Sequence, residues 1–157
     1  MAIQVGDKFP EVTLKSTSGE DVSTGELMRG KQVVLFALPG AFTPTCSAKH
    51  LPGFIEKADE IRKRGVDEIV CVSVNDFFVM DAWAKAQNAG TKVKLLADGN
   101  GDLARALGLD FDASKFGMGR RAQRFAAIVV NGVVKHLAVE QPMKFEVSSA
   151  EAVLKAL

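Results

Sequence analysis

The segment Pro39-Gly-Ala-Phe-Thr43-Pro-Thr-Cys46 carries the side chains best suited to covalent chemistry. Cysteine reacts as its thiolate, and a thiolate is favoured where a helix begins, because unpaired N–H groups and the helix dipole stabilise negative charge there. Cys46 follows an apolar run and precedes a strongly helical segment. Pro44, two residues ahead of it, suits a turn or a first helical turn and not a helix interior. A free cysteine is commonly just a small buried hydrophobe. Two features set Cys46 apart from that role. It follows a Thr-Pro-Thr turn, and it lies past the C-terminal end of a buried strand, the edge where open α/β sheets bind ligands. Thr43 brings a hydroxyl that can donate or accept near the sulfur. Pro39 shapes the loop and shields it from water. His50, one helical turn beyond Cys46, can face the same pocket.

The elements around this loop must position it. Val33 to Leu38 is an unbroken apolar run, the pattern of a strand buried on both faces. Leu51, Phe54, Ile55, Ala58 and Ile61 recur at helical spacing after the cysteine, and Gly65 supplies a C-cap. Pro52-Gly53 predicts a kink early in that helix. Ile69 to Val74 is a second buried strand with Cys71 inside it, where packing is the expected role. Asn75-Asp76 caps a helix that ends near Gly90 and holds Trp83 as a core residue. Val93 to Leu96 is a third short strand, and Asp102 to Leu107 a brief helix closed by Gly108. Asp110 to Arg121 lacks periodicity and is expected to be a loop. Arg124 to Val130 and Val133 to Glu140 flank Asn131-Gly132, a strong hairpin signal. Ser148-Ser-Ala-Glu151 predicts a capping box for a last helix. Ahead of all this, Phe9 to Leu14 alternates as a short strand closed by Ser18-Gly19, and Ser23 to Arg29 is a helical turn ending at Gly30. Strands alternate with helices, then a hairpin and helix finish the chain. That order predicts an α/β, thioredoxin-like fold: a central mixed sheet flanked by helices, with an N-terminal extension, in one domain spanning 1–157.

Composition excludes several classes. A net charge of +1 over 157 residues implies no strong attraction to nucleic acid or to an anionic membrane. No apolar run approaches the roughly 20 residues that span a bilayer, and MAIQVGDKFP lacks the pattern of a signal peptide. Two cysteines do not make a disulfide scaffold, and a cytoplasmic, reducing location is the simplest expectation. There is no Cys-x-x-Cys and no metal-ligand spacing, so no metal site is expected.

The pattern Pro39-x-x-x-Thr43-x-x-Cys46 resembles the active-site loop of the peroxiredoxins, and PGAFTPTCS with HLPGF resembles the type-5 branch in particular. KFPEVTL and QRFAAIVVNG extend the resemblance over nearly the whole chain. It implies a thiol peroxidase in which Cys46 attacks hydrogen peroxide or an alkyl hydroperoxide and becomes a sulfenic acid. Such a reaction needs an ionised sulfur, a peroxide held in line, and donors for charge on the leaving oxygen. Thr43 and the N–H groups of Thr45 and Cys46 can supply donors. The resemblance assigns the cation beside the sulfur to Arg124, just ahead of its strand, with a surface strand-end charge as the alternative; Arg120 and Arg121 read as a solvated basic patch. Phe42 and Phe116 are candidate pocket walls, with ordinary packing as the alternative for both. Glu140 to Ser149 contains no resolving cysteine, which implies a one-cysteine cycle restored by an external thiol, either glutathione with glutaredoxin or thioredoxin. The resemblance also implies a homodimer packed through loops near the site. The competing reading is a redox-sensing binding module of the same fold, acting through reversible oxidation of Cys46.

Overall fold

The computed structural model describes residues 2–157. Its centre is the run predicted to be buried on both faces. β3, Gln32–Leu38, is covered along Val33 to Leu38. Beside it lie β4 (Glu68–Ser73) and β5 (Lys94–Ala97), both parallel, as crossover helices require. On its other edge β8 (Phe125–Val130) runs antiparallel and continues through the Asn131-Gly132 turn into β9 (Val133–Val139). Asn131 at φ 47° and Gly132 at φ 80° give that turn the left-handed backbone of a tight hairpin. β1 (Thr13–Ser16) and β2 (Asp21–Ser23) extend the far edge, giving a seven-stranded mixed sheet in the order β2-β1-β5-β4-β3-β8-β9.

Alternation along the strands divides two apolar layers. Val34, Phe36, Leu38, Ile69, Cys71, Ala126 and Ile128 face one side, against α2 (Leu51–Lys63), α3 (Phe77–Ala86) and α5 (Ala150–Ala156). Val33, Leu35, Ala37, Val70, Val72, Phe125 and Ala127 face the other, against α1 (Thr24–Met28) and α4 (Asp102–Leu107). The architecture is the thioredoxin-like α/β sandwich.

Several boundaries differ from expectation. The first strand starts at Thr13 and not Phe9; the Lys8-Phe9 stretch instead bridges Val133 and Gly132 near the β9 hairpin. Asp110 to Arg121 is not all loop: β6 (Asp110–Asp112) pairs β7 (Arg120–Ala122) around a 3-10 turn, Ser114–Phe116. Three-residue strands are too short to show a period. Pro52 lies in the first turn of α2, preceded by a π-helical turn over Cys46–His50 in which the Leu51 N–H reaches back to the Cys46 carbonyl. Pro52 has no N–H to close a four-residue bond, so the irregularity falls ahead of it. The last helix is capped by Ser149, whose hydroxyl accepts from the Ala152 N–H, one residue later than the capping box predicts.

Phe54 is fully buried, with its ring stacked 3.9 Å from that of Phe36. Phe54→Ala is expected to cost about 3–5 kcal/mol of stability, read from the midpoint of urea unfolding.

Candidate active site

The site forms where the end of β3 meets the start of β8. Antiparallel register pairs Ala37 with Phe125, which brings the residue before Phe125 beside the loop that leaves β3. Ala126 and Ile128 face the helix layer of Cys46, and the two-residue period extends that face back to Arg124. Arg124 Nη2 donates to Cys46 Sγ at 3.2 Å. Its Nη1 lies 2.8 Å from His50 Nδ1, so one planar fork holds both the sulfur and the imidazole. Among the described residues no carboxylate forms an ion pair with Arg124. Its permanent positive charge therefore faces the sulfur directly.

His50 is wholly buried, with ring centroids 4.9 Å from Phe36, 5.7 Å from Phe54 and 5.0 Å from Phe145. Its Nε2 donates to the Ser148 carbonyl at 3.0 Å, which leaves Nδ1 to accept from Arg124. Burial, reinforced by the Arg124 charge and opposed by the Ser148 bond, lowers its pKa to about 3. The imidazole is neutral at pH 7 and adds no second charge. Arg124 also stands 5.7 Å over the Phe145 ring, a cation–π contact.

The loop from Pro39 to Thr45 is tied at several points. Thr43 Oγ1 donates to the Gly40 carbonyl at 2.6 Å, and the Thr43 carbonyl accepts from the Ser47 N–H at 2.9 Å. Thr45 and Cys46 precede that bond, so their N–H groups are the orphan donors of a helix start. Asn75 Oδ1 accepts from the Ala41 N–H at 3.0 Å. Trp83 is core, as predicted, and its indole N–H also donates to Ser47 Oγ at 3.0 Å. Arg121 departs from expectation. It is half-buried and donates to the carbonyls of Pro39 at 3.2 Å and Met118 at 2.9 Å, so it clamps the loop. Arg120 stays on the surface, paired with Asp110.

Cys46, Arg124 and His50 are thus joined directly, and Pro39 and Thr43 frame the loop that carries the cysteine. Phe42 and Phe116 are both largely exposed. Phe42 is 54% exposed, at φ 63°, with its ring 6.5 Å from Trp83. Phe116 is 63% exposed on the 3-10 turn. Cys46 itself is fully covered. Cys71 is equally buried in the same layer, and burial pushes its thiol up, aided by Cys46, so it remains a neutral packing group. Sequence reasoning did not find Asn75, Phe145, Ser148 or Glu140, because no local spacing links them to Cys46.

Residues 4–154 match the Redoxin family. Peroxiredoxin-2E-2, chloroplastic, of Oryza sativa subsp. japonica is 53% identical over 99% of this chain and 72% of its own length. The chain belongs to the peroxiredoxins. Peroxiredoxin-2B of Arabidopsis thaliana is 48% identical over 99% of the chain and 98% of its own. Reduced Prx3 from Vibrio vulnificus in complex with H2O2 superimposes with a TM-score of 0.95 at 52% identity, covering 99% of each chain. The Plasmodium falciparum antioxidant protein, a 1-Cys peroxiredoxin, gives a TM-score of 0.92 at 31% identity over 98% of each. Membership makes this chain a thiol peroxidase, an oxidoreductase whose reactive group is a cysteine sulfur.

His50 has a consequence for acid stability. The unfolded imidazole takes up a proton near pH 6.5 and the folded one only near pH 3. Between those values the unfolded state binds more protons, so stability falls as pH falls, by up to about 1.4 kcal/mol per pH unit from this group. His50→Gln is expected to flatten that slope, measured by urea unfolding at pH 7, 6, 5 and 4.

Proposed function

We propose that the chain is a one-cysteine peroxiredoxin of the type-5 branch, reducing hydrogen peroxide and alkyl hydroperoxides through Cys46. The observation that carries this reading is the Arg124 guanidinium, 3.2 Å from Cys46 Sγ and with no carboxylate partner among the described residues. The Cys46 thiolate attacks one peroxide oxygen, the S–O bond forms as the O–O bond breaks, and the departing oxygen takes a proton to leave as water or alcohol. Sulfur is oxidised to sulfenic acid and the peroxide is reduced. Arg124 and the N–H groups of Thr45 and Cys46 are the donors for charge moving onto oxygen. Thr43 and Pro39 set the shape of the approach.

A first external thiol then displaces water from the sulfenic acid to give a mixed disulfide. A second releases Cys46 as the thiol. The absence of cysteine from Glu140 to Ser149 and the buried, neutral state of Cys71 favour an external thiol over an internal one. Glutathione with glutaredoxin, or thioredoxin, supplies it in a reducing cytoplasm. The hydrogen peroxide bound by the Vibrio vulnificus relative supports the choice of substrate. Because Cys46 is covered in this state, entry of even a small peroxide requires a local shift of the loop, and a protein reductant requires a larger one. The exposed rings of Phe42 and Phe116 lie on loops suited to a homodimer contact.

Cys46→Ser is expected to abolish peroxide consumption in both the glutaredoxin and the thioredoxin systems. Arg124→Ala is expected to lower kcat/KM by about 10²–10³-fold, the scale of losing one charge-stabilising donor, and to slow Cys46 alkylation at pH 7. Intact mass after one equivalent of peroxide should show one added oxygen. A loss of two hydrogens would indicate an internal disulfide and overturn the one-cysteine cycle.

A further inference from the structure

Glu140 is a buried acid, 7% exposed, that forms no ion pair among the described residues. One of its oxygens, Oε2, accepts from the Glu146 N–H at 2.7 Å, the Ser148 N–H at 2.8 Å and Ser148 Oγ at 2.7 Å. Its own N–H donates to the Arg124 carbonyl at 2.9 Å. The Ser148 carbonyl accepts from His50 Nε2, and His50 Nδ1 accepts from Arg124 Nη1. The contacts therefore close a ring: Arg124 main chain, Glu140, Ser148, His50 and back to the Arg124 guanidinium, whose other nitrogen reaches Cys46 Sγ.

We propose that Glu140 is a positioning residue for the Cys46 chemistry, acting through Ser148 and His50 on the Arg124 guanidinium. The Ser148 carbonyl determines which imidazole nitrogen carries the proton. Only the Nε2–H form leaves Nδ1 free to accept from Arg124. That carbonyl sits on an irregular segment between β9 and α5, which has no sheet partner to hold it. Glu140 is the group that does. An anionic oxygen suits three converging donors better than an amide oxygen, since charge-assisted bonds are shorter and stronger. Burial opposes the charge, but the bonds from Ser148 and Glu146 outweigh it and hold the carboxyl below the usual range. If the segment drifts, Nε2 loses its acceptor, the ring turns, and Arg124 is released from one of the two bonds that fix its plane.

The test is a double-mutant cycle with Glu140→Gln and His50→Gln. It is read by Cys46 alkylation with iodoacetamide across pH and by peroxide kcat/KM. The second readout rests on the peroxidase reading and the first does not. A chain that alkylates normally but turns over no peroxide therefore defeats that reading alone, and alkylation still decides this one. Glu140→Gln is expected to lower both rates about tenfold at pH 7, the scale of removing a partner one step behind a functional side chain, and to move the alkylation profile to higher pH. In the His50→Gln background it should have no further effect, because the route is already broken. Parent-like alkylation in a folded Glu140→Gln protein, or additive losses in the double variant, overturns the proposal. Should Glu140→Gln not fold, Ser148→Ala, which removes only the hydroxyl bond, is read in the same cycle. A parent-like rate, or a loss that persists without His50, is equally fatal.

Discussion

A half-buried guanidinium with no carboxylate partner among the described residues is the constraint on which this molecule turns. Arg124 cannot shed its charge, and in a poorly solvated setting an unpaired charge is costly. The surroundings answer it in three ways: the Cys46 sulfur, the lone pair of a neutral His50, and the face of Phe145. Of these only sulfur can become an anion. The contact that offsets the arginine charge is thus also the one made by the proposed nucleophile.

The fold follows from the need to bring that pair together. Arg124 and Cys46 are 78 residues apart in the chain. They meet because β8 runs antiparallel to β3, so the start of one adjoins the end of the other. A parallel neighbour would place the start of β8 at the opposite end of the sheet. Alternation then decides the face, and the helical start after Pro44 puts the sulfur on it. His50 contributes by staying neutral. Its aromatic surroundings and the adjacent arginine both oppose protonation, so the site carries one positive charge and not two.

Covering the site has a cost in access. Water is excluded from Cys46, which strengthens its interaction with Arg124, yet a covered sulfur cannot meet its substrates without movement. The segment around it has the features of one that can shift. It contains a π-helical turn, a bulky residue in the left-handed region at Phe42, and side-chain ties from Asn75, Trp83 and Arg121 in place of a strand ladder. Such ties break singly, whereas a ladder does not.

The sequence by itself determined the alternation of the main strands and helices, the buried strand β3, the hairpin at Asn131-Gly132 and the placing of Cys46 at a helix start. Each of these is set by local period, turn chemistry or motif. It also singled out Arg124 through its likeness to a known active site. The short β2, β6 and β7 strands escaped because three residues carry no period, and the π-turn because it arises from Pro52 acting on residues before it. Only the tertiary structure decided that Arg121 clamps the Pro39 loop instead of facing water. The same is true of Ser148, whose carbonyl orients His50, and of Glu140, which holds it. These contacts join residues 82, 98 and 8 positions apart through irregular backbone. No periodicity links such positions, and a polar side chain there has the same local appearance whether it is solvated or buried beside a sulfur.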